Sequence, residues 1–171
     1  MKKLILILHD IRSTYNVGAI LRTCDGLAID QVIFSGYTPF YDKGLAHERE
    51  KLRARIHKTA LGAEETVAFA RTEDIFTTIA EYRSQAYCIC ALEQGEHSIN
   101  LAESSLDDSQ NIVLILGEEV HGVPQPVLDA CDCLLEIPML GHKESFNVSV
   151  AAAIAIWELR KPDLKNVSCQ S

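Results

Sequence analysis

The strongest hydrophobic signal is Ile112-Val-Leu-Ile-Leu116, an unbroken apolar run bounded by Asn111 and Gly117. A run this short without alternation predicts a strand buried on both faces, as in a parallel sheet. Lys3 to Leu8, Gln31 to Ser35, Ala86 to Leu92 and Leu134 to Ile137 read as further strands, and Glu65 to Arg71 as a weaker one. Between them lie helical patterns. Val17 to Leu27 places Ile20, Leu21, Cys24 and Leu27 on one face, with Asn16 suited to cap it. Asp74 to Ser84 is a second helix, and Pro124 opens a short one to Cys131. Asn147 to Arg160 is apolar almost all round, which predicts burial on every side. Glu93 to Gln110 reads as polar loop with one helical turn. Strands alternating with helices predict an α/β fold: a mostly parallel sheet with helices on both faces. Ligand sites in such folds lie at the carboxyl ends of the strands. Here those ends lead into Gly117-Glu-Glu-Val-His-Gly122 and the Pro138 to Phe146 loop.

Residues 1–165 read as a single domain, with Asn166 to Ser171 as a loose tail. No stretch approaches the roughly 18 apolar residues of a membrane span. Met1-Lys-Lys followed by Leu4 to Leu8 starts like a signal peptide, but His9 and Asp10 interrupt it, so a buried first strand is expected. The six cysteines include Cys88/Cys90 and Cys131/Cys133 but no C-x-x-C. Reduced thiols in a cytoplasmic protein, with no metal, are the expectation.

Charge adds one feature. The net charge of −8 argues against indiscriminate nucleic-acid binding. Yet Lys43, Arg49, Lys51, Arg53, Arg55 and Lys58 crowd a turn-rich segment of weak helical periodicity, opposed there only by Glu48 and Glu50. Two readings stay open. The segment is a solvated helix face with Glu48–Lys51 and Glu50–Arg53 pairs, or a patch that steers a polyanion to one site.

Familiar chemistry is excluded by absence of its motifs: no G-x-G-x-x-G, no P-loop, no G-x-S-x-G, and no histidines at metal-ligand spacing. What remains are polar residues after strands and before helices: Asn16, Arg22, Glu119, Ser145 and Asn147. Each also has a purely structural reading, as a cap or an ion-pair partner.

Their order carries more. Asn16-Val-Gly-Ala-Ile-Leu-Arg22, Leu116-Gly-Glu-Glu-Val-His-Gly122, and Ile137-Pro-Met139 with Ser145-Phe-Asn-Val-Ser-Val-Ala151 resemble the three signature motifs of the SpoU/TrmH family. These are SPOUT-class RNA ribose 2′-O-methyltransferases. Lys58-Thr-Ala-Leu-Gly-Ala-Glu-Glu65 and Ala91-Leu-Glu93 resemble intermediate blocks of the family. The chain departs at Phe146, where Leu is usual, and at Glu118, where Asn or Ser is common. The separate N-terminal RNA-binding domain of many relatives is expected to be absent.

The resemblance implies a C-terminal deep trefoil knot, a homodimer with the site near its interface, and S-adenosylmethionine as cofactor. By motif match the cofactor is held at Leu92, Gly117, Ile137, Met139, Ser145 and Phe146. Arg22 is implied as the catalytic residue, Asn16 as orienting Arg22 or the ribose, and Glu119 as anchoring Arg22 or a substrate group. Ser145 and Asn147 are implied to shape the cofactor loop. The expected partner is tRNA or rRNA, not DNA or membrane, contacted through Arg22 and the basic segment. The alternative is a non-catalytic RNA-binding or assembly protein retaining the fold.

Overall fold

A computed structural model describes residues 1–104, 106 and 108–164. Seven strands form one parallel sheet in the order β3-β2-β1-β6-β4-β7-β5. They are β1 (Leu4–His9), β2 (Gln31–Ser35), β3 (Phe69–Arg71), β4 (Cys88–Leu92), β5 (Ile99–Asn100), β6 (Ile112–Leu116) and β7 (Cys133–Glu136). The helices are α1 (Thr14–Gly26), α2 (Ala46–Ala60), α3 (Ala63–Thr66), α4 (Ile75–Ser84), α5 (Gln125–Asp129) and α6 (Val148–Leu164). The expected tail, Asn166 to Ser171, lies outside the described residues.

β6 sits between β1 and β4, and every residue in it is buried. That placement explains why its sequence does not alternate: both faces are covered. One face packs Leu4, Leu6, Leu114 and Leu116 against Val17, Ile20 and Leu21 of α1 and Ala152, Ile156 and Leu159 of α6. The other packs Ile5, Ile7, Val113 and Ile115 against Ile75 and Ile79 of α4 and Val127 of α5. The helices are therefore on both faces, as the alternating pattern predicts.

Four local expectations are corrected. Helix α1 begins earlier than Val17, because Ser13 is its N-cap and accepts a hydrogen bond from the Asn16 amide; Asn16 lies inside the first turn. The basic segment is a regular helix, α2. Its periodicity is weak in sequence because, of its fifteen residues, only Ile56 and Ala60 are buried. From it Arg53 reaches Glu65 of α3, and the Glu48 carboxylate accepts from the amide of Leu45, the N-cap residue. The Glu65 to Arg71 stretch is split between α3 and β3, with Glu64 buried against His57.

The fourth correction concerns α6. In the single chain it is not covered all round: Val150 is 45% exposed and Trp157 54%. Its inner side is fastened by Arg160, which is 2% exposed. The guanidinium donates to the carbonyls of Lys2, Leu27 and Ala28 and pairs with Asp30 and Asp163.

A pocket built from the carboxyl-end loops

A cavity of about 260 Å³ opens at the carboxyl ends of β4, β6 and β7. Its apolar wall is Leu92, Leu116, Leu135, Ile137, Met139, Phe146, Val148 and Ala151, and its polar rim includes Glu93, Glu118, Glu119 and Glu136. All six residues assigned to the cofactor by motif, Leu92, Gly117, Ile137, Met139, Ser145 and Phe146, line this one cavity.

The loop after β6 closes on itself. Glu118 and Gly122 exchange backbone hydrogen bonds, and Gly122 adopts a φ of +68°. A Cβ on Gly117 would lie 2.2 Å from the Gly122 carbonyl carbon, and one on Gly122 would lie 2.0 Å from Glu93 Oε2. Both positions therefore demand glycine, for close approach at one and close approach with a left-handed backbone at the other. The same Glu93 Oε2 accepts from the Val123 amide at 3.0 Å, tying the β4 and β6 loops together. Gln94 donates to the Glu144 carbonyl at 3.0 Å and so holds the β7 loop to them.

Beside the cavity, three predicted residues form a chain. Glu119 Oε1 accepts from Asn16 Nδ2 at 2.7 Å and from the Ser13 amide at 3.1 Å, while Oε2 accepts from the Arg12 amide at 3.0 Å. Asn147 Nδ2 donates to Asn16 Oδ1 at 3.3 Å, and Asn147 Oδ1 caps α6 through the Ser149 amide and hydroxyl. Partial burial alone would raise the Glu119 carboxyl, but the donors from Arg12, Asn16 and Ser13 outweigh it and hold it below its ordinary value. Glu119 thus grips the N-terminus of α1, where free N–H groups and the helix dipole favour an anion.

Arg22 stands apart from this chain. It is exposed on α1, six residues beyond Asn16 and about 9 Å further along the axis, and it does not line the cavity. Of the basic residues, Lys43 pairs with Glu73, and Arg53 with Glu65 and over the Tyr41 ring; Arg49, Lys51, Arg55 and Lys58 are exposed along α2. Helix α2 docks on α1 at Gly18, where a Cβ would lie 2.4 Å from the Ile56 carbonyl oxygen.

Sequence reasoning missed a second cluster at the rim. Glu118, 8% exposed, accepts from Tyr37 Oη at 2.9 Å and pairs with Arg12 Nε at 2.7 Å. Arg12 lies in no motif, and only Glu118 carried a signal, as the departure from Asn or Ser. Glu93 was within reach, since it closes the Ala91-Leu-Glu93 block.

A parallel α/β sheet with a pocket formed by its central carboxyl-end loops defines the class. Residues 3–157 match the model of the SpoU rRNA Methylase family, and the chain belongs to that family. It is 33% identical over 158 residues to the 23S rRNA (guanosine-2′-O-)-methyltransferase RlmB of Neisseria meningitidis, covering 92% of this chain and 58% of that protein. The chain thus spans a little over half the length of the curated relatives it matches. An AdoMet-bound rRNA methyltransferase from Sinorhizobium meliloti superposes with a TM-score of 0.80 at 22% identity, covering 97% of this chain and 57% of that one. A structure described as giving insight into 2-OH methylation of C/U34 on tRNA superposes with a TM-score of 0.75 at 22% identity, covering 95% of this chain and 97% of that one.

Proposed function

We propose that this chain transfers a methyl group from S-adenosylmethionine to a ribose 2′-hydroxyl of tRNA or rRNA. The observation that carries this reading is the convergence of the six motif-assigned cofactor residues, from Leu92 to Phe146, on one cavity. The lining fits the group. Apolar side chains suit a purine and a thioether chain, glycine leaves main-chain groups accessible, and the four glutamates of the rim suit a sulfonium cation.

When bound, S-adenosylmethionine supplies an electrophilic methyl carbon. The chain's own residues supply position and charge. Ser145 and Asn147 set the loop that enters α6. Asn16 and Glu119 hold the start of α1, the helix that carries Arg22. Arg22 grips the phosphate next to the target ribose and stabilises the oxyanion as the hydroxyl proton leaves. A guanidinium carries donors and no acceptor, so Arg22 is not the base; the RNA phosphate assists that proton transfer.

The exposed cations of α2 take the RNA backbone, with recognition led by shape and phosphate. A second copy covers the apolar strip of α6 and brings the dimer interface close to the pocket. The segment from Ile137 to Asn147 runs from β7 back to Asn16 beside β1, past the β4 and β6 loops, a path that supports the knotted threading. No helix among the described residues is long and apolar enough to cross a membrane, in keeping with a cytoplasmic site of action.

Calorimetric titration with S-adenosylmethionine, paired with methylation of unmodified tRNA and rRNA transcripts, tests the reading. One site per chain is expected. Arg22→Ala should bind the cofactor as the wild type does and lose methyl transfer by about 100-fold or more. Retained activity would remove Arg22 from the reaction. A folded protein that binds RNA but not the cofactor would favour the non-catalytic alternative.

A further inference from the structure

At the opposite, amino-terminal side of the sheet, three thiols meet. Cys88 and Cys90 are two residues apart on β4 and project to one face, and Cys133 of β7 is the register partner of Cys90. Cys90 Sγ lies 3.7 Å from Cys88 Sγ and 3.0 Å from Cys133 Sγ, and all three sulfurs fall within 4.8 Å of one another. Cys90 is buried in the core against Leu101 and Leu114, whereas Cys88 and Cys133 are partly exposed and leave a route in from solvent. Cys131 does not join them. It belongs to the core on the other face and donates to the Val127 carbonyl.

We propose that Cys88, Cys90 and Cys133 form a binding site for one soft closed-shell cation, zinc(II) or copper(I). Sulfurs held about 2.3 Å from a common ion are separated by roughly 3.8–4.0 Å in tetrahedral or trigonal geometry. Cys90 Sγ stands 3.0 Å from Cys133 Sγ and 3.7 Å from Cys88 Sγ, both somewhat closer than that range, and all three lie within 4.8 Å, so side-chain rotations that open the sulfurs slightly would seat a common ion. Sulfur-only ligation selects these cations over magnesium or calcium. Each thiol releases its proton on binding, and zinc completes its shell with a water. Lys2, buried and within electrostatic range of Cys90, offsets the negative charge of the thiolates. Asp132, between Cys131 and Cys133, is engaged by the Ile89 amide and Arg83, so it orients the strand start and is not a ligand.

The ion would staple β7 to β4. Two residues further along each strand, Leu92 and Leu135 line the cofactor cavity. Metal loading is therefore expected to stiffen the cavity floor without touching the reacting groups.

The test uses the fully reduced full-length chain, its thiols counted first. Cadmium serves as spectroscopic probe through its sulfur-to-metal charge-transfer absorption, and zinc(II) and copper(I) are then set in competition with chelators of known affinity. One equivalent of cadmium should saturate the band. Cys88→Ser and Cys133→Ser should each weaken binding by about 100-fold or more, and Cys131→Ser should leave it unchanged. The competition arms decide which cation is the tighter ligand. Absence of the band in reduced, folded wild-type protein would overturn the proposal. Equal loss in Cys131→Ser would also overturn it, as would a Cys90–Cys133 disulfide with no retained metal in protein purified without reductant.

Discussion

Glu119 is the side chain whose role changed most between motif and structure. The motif implies a residue that anchors Arg22 or substrate; in the folded chain it accepts from three donors at the start of α1. Because its folded pKa lies below the ordinary value of 4.5, the carboxylate contributes stability that is fully present above that value. The contribution is lost as pH falls through the lower, folded pKa. Glu119→Gln should therefore cost about 1 kcal/mol at neutral pH, the side chain being partly open to solvent. The gap to wild type should close in denaturant titrations run at progressively lower pH below 4.5. A gap that stayed constant with pH would mean that packing, not charge, makes the contribution.

At the scale of elements, α6 joins the pocket to the far side of the molecule. Its first turn is capped by Asn147, which also touches Asn16, and its last turns are fastened by Arg160 to the β1 and α1–β2 connections. Arg160 is nearly inaccessible, so its removal strands three carbonyls and the Asp30 carboxylate. Arg160→Leu should lower unfolding free energy by about 3 kcal/mol. Urea denaturation measures it directly, and a loss under about 1 kcal/mol would show that water replaces the guanidinium at little cost. The basic helix α2 follows a different logic. Its exposed cations say nothing about how it is held, and the decisive residue is Gly18, where the two helix backbones meet.

For the whole molecule, the single chain leaves Tyr15 and Trp157 more than half exposed, with Val150 and Phe146 close behind. Isolated apolar residues at a surface are ordinary. Here α6 carries two of them on a helix whose sequence has almost no polar face. Burial of that strip in a homodimer predicts that Trp157→Glu weakens self-association by about 2 kcal/mol or more, roughly 30-fold. Sedimentation across a concentration series reads this as a shift toward monomer. An unchanged dimer would place the interface elsewhere, and a monomeric wild type would remove the dimer from the proposal.

Much of this was legible in the chain itself. The apolar runs at β1, β2 and β6 and the helix patterns between them determined an α/β parallel sheet, because residues buried on both faces cannot alternate with polar ones. The motif residues Leu92, Gly117, Ile137, Met139, Ser145 and Phe146 line one cavity because the loops that carry them converge at the carboxyl ends of β4, β6 and β7, whereas Arg22 lies apart on α1. Tertiary structure decided what no local pattern encodes. Ser13, not Asn16, caps α1 by accepting from the Asn16 backbone N–H, while the Asn16 side chain is turned to distant loops, donating to Glu119 and accepting from Asn147. A helix apolar on all sides has one side open, because only packing tells a core face from an interface. Of two C-x-C pairs of identical spacing, Cys88/Cys90 share one face of the sheet while Cys131/Cys133 are divided between opposite faces. Cys131 lies in the connection before β7 rather than within a strand, so the two-residue period that aligns Cys88 with Cys90 does not apply to it.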